Sequence, residues 1–291
     1  MIHSELFETE DTEIKLGNER QLHRSSFLIV VNETIKKQLT LRFRYKANMV
    51  GEAFGVILQV AIFAAMAGAV TLVGVNNLEG NNVFIFFLAS LVLIVFSTVA
   101  LSAPLNAVIQ ELHNGTLEYL FSTPISRYAY FIGTAIAEAI SKSIFFVPML
   151  IVLILFSGVN LYTGLLILIV CITVIIGLIA FGVLVALMGV MWKQVSAIAT
   201  LLFTFFEFIC GAYFPVTSMP IPFQAVAFAL PHTWGYDLIR YYSFQGTWTP
   251  IMPIHLEWMM LVVYAVLYIV VSSKLLKVVE RRAKKFGLHL I

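Results

Sequence analysis

The sequence predicts an all-α membrane protein with six transmembrane helices in a single domain. Of its 291 residues, 60% are hydrophobic and 12% are charged, and the mean hydropathy is +0.94. Water-soluble domains are about half apolar and about one quarter charged, so most of this chain is not covering a water-soluble core. A helix that crosses the hydrocarbon layer needs about 20 mainly apolar residues, and six stretches meet this requirement.

The six predicted spans are separated by short polar or turn segments. They cover residues 50–73, 83–105, 143–161, 163–192, 195–214 and 258–276. Because the connections are short and no repeat stands out, we assign residues 26–285 to one transmembrane domain.

The basic residues are distributed unequally between the two sides of these spans. All 18 lysines and arginines except Arg240 fall on the side that also holds both termini. Since cytoplasmic loops are enriched in lysine and arginine, the pattern predicts a multi-pass protein of the cell (inner) membrane with the N- and C-termini in the cytoplasm.

Both ends of the chain are polar. Residues 1–25 lack apolar periodicity and are predicted to be a flexible cytoplasmic leader. Within residues 26–47, Leu28, Val31 and Ile35 recur at helical spacing among basic side chains, which indicates an interfacial helix; a solvated basic segment is the alternative. Residues 277–291 form a basic cytoplasmic tail that would contact anionic membrane lipids.

Enzyme signatures are absent from the sequence. It has no His-Glu-x-x-His, no Cys-x-x-Cys and no phosphate-binding Gly-x-x-x-x-Gly-Lys-Ser/Thr. We therefore predict no catalytic residue, no metal and no cofactor bound by this chain, and any ATP must be handled by a partner subunit. The net charge of +2 also argues against nucleic-acid binding.

The segment between the second and third spans is too polar to cross a membrane and too apolar for a free loop. Leu117, Leu120 and Phe121 share one helical face, while Pro124 ends the helix and Ser126 can begin the next one. Glu111 and Glu118 are expected to face water. This pattern favours a short amphipathic helix that docks onto another protein, because a helix resting on lipid would be richer in lysine and arginine.

Glu207 is the acidic residue deepest within a predicted span. A carboxylate at that depth is costly unless it is protonated, paired or exposed to a wet cavity, so Glu207 is a candidate for the transport pathway. Nearby aromatic side chains are further pathway candidates, namely Phe203, Phe206 and Tyr213. The alternative is that these rings only face lipid or the interior of the bundle. Glu52 and Glu138 are interpreted as boundary residues within reach of basic partners.

Two motifs resemble the permease subunits of type-2 ABC exporters. The first is Gly115–Glu118, "GTLE", followed by Thr123–Arg127, "TPISR", and Gly133. The second begins with Gly211 and Phe214 and ends in "PHTWGYDLIR" at residues 231–240. The resemblance covers about residues 30–285.

The resemblance implies roles for both motifs. Residues 111–121 would form a cytoplasmic coupling helix in a cleft of a separate ABC ATP-binding subunit, with contacts from Glu111, Gly115, Thr116, Leu117, Glu118, Leu120, Phe121, Pro124 and Arg127. Residues 215–240 would form re-entrant helices on the external side, before the last span, with the motif residues Pro215, Pro220, Pro231, Asp237 and Arg240. A second permease subunit, identical or different, would complete the transporter.

The preferred hypothesis is thus the permease of an ATP-driven exporter whose substrate is a drug or a lipid-like amphipathic small molecule. An ion-coupled secondary transporter with Glu207 as its proton site is the first alternative, and a non-transporting membrane scaffold is the second. The "GTLE…TPISR" segment favours the exporter permease over both.

Overall fold

The computed structural model describes residues 27–69, 80–116, 119, 126–192 and 195–286, and this part of the chain is helical without any strand. The helices are α1 (27–44), α2 (Lys46–Ala69), α3 (Asn81–His113), α4 (Arg127–Ser157), α5 (Leu161–Trp192), α6 (Val195–Ile209), α7 (Ile221–Phe228), α8 (Pro231–Ser243) and α9 (Ile254–Phe286), with a 3₁₀ turn at Val216–Ser218.

Helices α3 and α5 form the centre of the bundle. Helix α3 packs against α4 and α5, α5 also packs against α9, and α2 lies on the outside of α3. The short helix α8 fits among α3, α5 and α9. Side chains such as Phe86, Leu91, Val174 and Leu238 are fully buried where these helices meet. Burial of this continuous apolar surface holds the bundle together.

Four of the six predicted spans are long and apolar enough to cross a membrane. They lie in α2, in α4, in Leu161–Ala186 of α5 and in Ile254–Val278 of α9, so the chain is an integral membrane protein. Among the residues of α3 whose side chains are described, the continuous apolar stretch Asn81–Val95 is shorter than a span requires. Helix α6 has 15 residues, about 22 Å at 1.5 Å per residue, which is less than the hydrocarbon thickness. The second and fifth spans therefore stay predictions.

The helix bounds differ from the bounds of the predicted spans, because apolar runs mark only the lipid-facing part of a helix. Helix α4 begins at Arg127, well before the predicted residue 143, since polar residues continue the same helix. It ends at Ser157 rather than residue 161, because Gly158 adopts a left-handed conformation (φ 64°) and its N–H caps the carbonyl of Ile154. The predicted tail from residue 277 continues α9 as a helix up to Phe286.

Candidate functional site

The predicted docking segment begins at the end of α3 with a turn, not with a continuous helix. Helix α3 ends at His113, and Gly115 has a φ of 68°, which a glycine adopts without strain. The N–H of Thr116 then bonds to the carbonyl of Glu111 at 2.9 Å. The prediction of one helix over residues 111–121 is therefore wrong at its start. Tyr119 is helical and exposed, whereas Leu117, Glu118, Leu120, Phe121 and Pro124 lie outside the described residues.

Glu111 is held by the protein and does not face water as predicted. The hydroxyl of Thr116 donates to Oε2 of Glu111, and that of Tyr130 donates to Oε1 at 2.8 Å. The ammonium of Lys37 on α1 lies 3.7 Å from Oε1. Partial burial alone would raise the pKa of Glu111, but these two hydrogen bonds and the charge of Lys37 outweigh it, so the pKa lies below its ordinary value. Glu111 thus fixes the start of the segment against α1 and α4.

The far end of the segment is fixed by the first turn of α4. The Ser126 hydroxyl accepts a hydrogen bond from the N–H of Ala129 at 3.3 Å, which confirms the predicted helix start after Pro124. Arg127 is the first residue of α4. Nearly two turns further, Gly133 packs so closely against α1 that an added Cβ would lie 2.8 Å from Cβ of Thr34. Helix α1 therefore rests directly on α4.

Four charged side chains, which we call the interhelical charge cluster, join α1, α2 and α4: Arg42, Glu52, Glu138 and Lys142. The guanidinium of Arg42 donates to Oε2 of both Glu52 and Glu138. The ammonium of Lys142 pairs with the same oxygen of Glu52 at 2.8 Å. This agrees with the interpretation of Glu52 and Glu138 as boundary residues, and it adds that one arginine joins both of them.

The pathway candidates point mainly into the bundle. Phe203 is buried, Phe206 packs edge-on against Phe181 with ring centroids 5.8 Å apart, and Tyr213 meets Phe63 at 6.2 Å. Glu207 is 7% exposed, and its Oε1 has no hydrogen-bond partner among the described residues. Among the described residues, no basic side chain bonds to this oxygen. Pairing with such a side chain therefore does not explain how the carboxyl group can be buried.

The proline-rich block after α6 forms short helices, as the predicted helix breaks indicate. Pro215 caps the 3₁₀ turn, Pro220 caps α7 and Pro231 opens α8. Proline suits these positions because its missing N–H has no helical partner there. The hydroxyl of Thr233 donates to the carbonyl of Ala227 at 2.6 Å, which ties α8 back onto α7.

Asp237 and Arg240 of α8 are buried and bonded in different directions. Asp237 accepts hydrogen bonds from the indole of Trp248 and from the N–H of Ile251, both at 2.8 Å. Arg240 reaches α3 and the segment just after α6. Its guanidinium donates to the carbonyl of Gly211 at 2.5 Å, the hydroxyl of Ser90 at 2.6 Å and the carbonyl of Ala212 at 3.3 Å. Its guanidinium also lies 3.7 Å from the ring centre of Phe86.

Arg240 is buried in the bundle. The predicted topology places this residue on the side opposite the termini, and it is only 2% exposed. Its bonds join three parts of the chain that are distant in sequence. Arg240 and its partners, which we call the α8 arginine site, fasten α8 to the rest of the bundle.

A family comparison identifies the chain. The family model described as ABC-2 type transporter matches residues 29–244, which is more than half of the chain. This chain belongs to the ABC-2 type transporter family. Among curated proteins, none matches it in sequence.

Membership in this family establishes the coarse function of the permease. It is a membrane component of ABC-type transport, and the family implies an ABC ATP-binding partner that carries the ATPase activity. The match includes the predicted docking segment, the interhelical charge cluster and the α8 arginine site. The predicted resemblance is thereby confirmed, while the roles of individual residues stay predictions.

Two features of the permease were not predicted from the sequence. Glu257 is fully buried in the first turn of α9, where its Oε1 accepts the N–H of Met252 at 2.9 Å. It adjoins Asp237, whose carboxylate accepts the neighbouring N–H of Ile251. The second feature is the convergence of Arg42 with Glu138, 96 positions away in sequence. An acidic residue in the first helical turn after Pro253 was the one local signal for Glu257, because prolines commonly precede a helix start.

Proposed function

We propose that this chain is the membrane-spanning permease of an ATP-driven exporter that couples to a separate ATP-binding subunit. Its cargo is a drug or a lipid-like amphipathic small molecule, and a second permease completes the pathway. In this arrangement the protein lies in the cell inner membrane with both termini in the cytoplasm. The family match carries the proposal, because ABC-2 permeases act with a nucleotide-hydrolysing partner.

The connection between α3 and α4 supports the coupling part of the proposal. Both of its ends are fastened, at Glu111 by hydrogen bonds to Thr116 and Tyr130 and at Ser126 by the helix cap. A force applied to residues between two fastened ends is passed to the helices that hold them. ATP-driven closure of the partner would thus move α3 and α4 through this segment.

The ion-coupled carrier is the weaker candidate. Its one supporting observation is the unpartnered Oε1 of Glu207. Family membership does not favour it, since ABC-type transport draws its energy from ATP rather than from a proton gradient.

Leu117→Asp tests the coupling proposal. It places a charge on the apolar face of the predicted docking segment, so the ATP-binding subunit should no longer co-purify and ATPase stimulation should be lost, while membrane insertion stays intact. Asn160→Asp is the control, because it adds the same charge at an exposed position between α4 and α5. Unchanged co-purification and ATPase stimulation in Leu117→Asp would contradict the proposal.

A further inference from the structure

A polar cavity lies beside the interhelical charge cluster. Its volume is about 250 Å³, and its walls include Asn106 and Gln110 of α3 as well as all four residues of the cluster. Pockets for drug-sized molecules measure about 300–1,000 Å³ and are mainly apolar. Both the size and the polarity of this cavity therefore suit a small charged group rather than an amphipathic cargo.

The cavity offers acceptors and donors that the protein leaves unused. In Glu52 and Glu138 only Oε2 is bonded, so both Oε1 atoms lack a hydrogen-bond partner within the described residues. Lys142 uses one of its three N–H donors on Glu52. The side-chain amides of Asn106 and Gln110 make no hydrogen bond to any described residue and are exposed to the cavity.

The charges of the cluster indicate what kind of group binds. Two cations and two carboxylates sum to zero, so the cavity does not select a simple anion or a simple cation. A group with an ammonium and a phosphate satisfies both sets, because the ammonium meets the free carboxylate oxygens and the phosphate meets Lys142 and the amides. A primary ammonium fits better than a quaternary one, since only the primary form donates hydrogen bonds to carboxylates.

The position of the cavity indicates where such a group comes from. Glu52 lies at the start of the first predicted span, and Lys142 directly precedes the third. Polar headgroups occupy this level of a bilayer. Further along α2 and α4, side chains such as Phe54, Ile57 and Ile144 are exposed and can contact acyl chains.

We propose that this cavity binds the headgroup of a phospholipid that carries both a primary amine and a phosphate, such as phosphatidylethanolamine, as a retained lipid and not as transported cargo. The lipid would join α1, α2, α3 and α4 at one point. This inference does not depend on the proposed export function.

Lipid retention by the full-length protein tests the proposal. The purified chain is reconstituted with equal amounts of phosphatidylethanolamine, phosphatidylcholine and phosphatidylglycerol, and the lipids that remain bound are counted by native mass spectrometry. We expect one phosphatidylethanolamine per chain, retained roughly tenfold better than the other two, as the loss of charge-assisted hydrogen bonds implies. Equal retention of the three lipids would overturn the proposal, and this measurement requires no variant.

The double substitution Asn106→Leu/Gln110→Leu locates the site, because it fills the cavity with apolar groups and leaves the four charges in place. Retention of phosphatidylethanolamine should fall to the level of phosphatidylcholine. Asn160→Leu is the matched control at an exposed polar position between α4 and α5, and it should retain the lipid. Undiminished retention in the double variant would refute this location.

Soluble phosphoethanolamine distinguishes a lipid from a free ligand. If the site takes a lipid, the soluble headgroup raises the thermal unfolding temperature less than the same concentration of the phospholipid in mixed micelles, because it lacks the acyl contacts. Equal stabilisation by the two would show that a free small molecule, not a membrane lipid, is the ligand.

Discussion

Two arginines hold this permease together in opposite ways. Arg42 is joined to two carboxylates at the edge of a cavity, and its side chain is 17% exposed. Arg240 is 2% exposed and bonds to a hydroxyl and to backbone carbonyls. Water screens the contacts of Arg42 but not those of Arg240. An arginine therefore contributes little to the free energy of unfolding at the first position and much at the second. We therefore expect the interhelical charge cluster to contribute less to stability than the α8 arginine site.

Arg240→Ala should have the largest effect. It leaves the Gly211 carbonyl and the Ser90 hydroxyl without their donor and opens a cavity in the core, so the free energy of unfolding should fall by about 3–5 kcal/mol. Denaturant unfolding of the purified protein in detergent measures this. Arg240→Lys should recover part of the loss, because one ammonium reaches fewer of the acceptors. A loss no larger than that of Arg42→Met would remove the contrast between the two sites.

Gly133→Ala should have the next largest effect. It tests the close packing of α4 against α1, the helix that carries Arg42. The new methyl group would lie 2.8 Å from Cβ of Thr34 and 3.1 Å from the carbonyl of Val31. Such overpacking costs about 1–3 kcal/mol of unfolding free energy. Gly51→Ala is the control, since nothing lies within 4 Å of its Cβ. Equal unfolding midpoints for the two variants would show that α1 can move away from the new methyl group without a loss of unfolding free energy.

Arg42→Met should cost about 1 kcal/mol of unfolding free energy, because the cluster is partly exposed. Glu138 loses its partner, whereas Glu52 keeps Lys142. Adding Glu138→Gln should restore most of the loss, and thermal unfolding of the single and double variants measures this. A cost comparable to that of Arg240→Ala would mean that the cluster is as rigid as the α8 arginine site.

Glu207→Gln should have the smallest effect on stability, within about 0.5 kcal/mol, because Oε1 of Glu207 has no hydrogen-bond partner to lose among the described residues. Transport is the informative measurement. If Glu207 faces the pathway, the transport rate should change at an unchanged protein level. Wild-type transport would leave Glu207 a structural residue.

The sequence predicts elements well where local chemistry decides them. Apolar runs marked α2, α4, α5 and α9, and Ser126 marked the start of α4, because burial and capping are properties of neighbouring residues. The ends of α4 and α9 escaped prediction, since polar residues continue a helix beyond the lipid as readily as apolar ones.

The features that could not be predicted from the sequence are contacts between residues far apart in the chain. Arg42 meets Glu138 across 96 positions, and Arg240 meets Ser90 across 150. No local pattern of the sequence encodes such pairs. Glu111 was misplaced for the same reason, because its partner Tyr130 belongs to the next helix.

The length of the last helix has a mechanical consequence. Helix α9 has 33 residues, so it measures about 50 Å and exceeds a hydrocarbon layer of about 30 Å. Its lysines and arginines from Lys274 onward thus belong to a continuous helix, which we call the stalk, and not to a flexible tail. A stalk transmits torque, so any rotation of α9 about its axis would turn these charges through the same angle against the lipid surface.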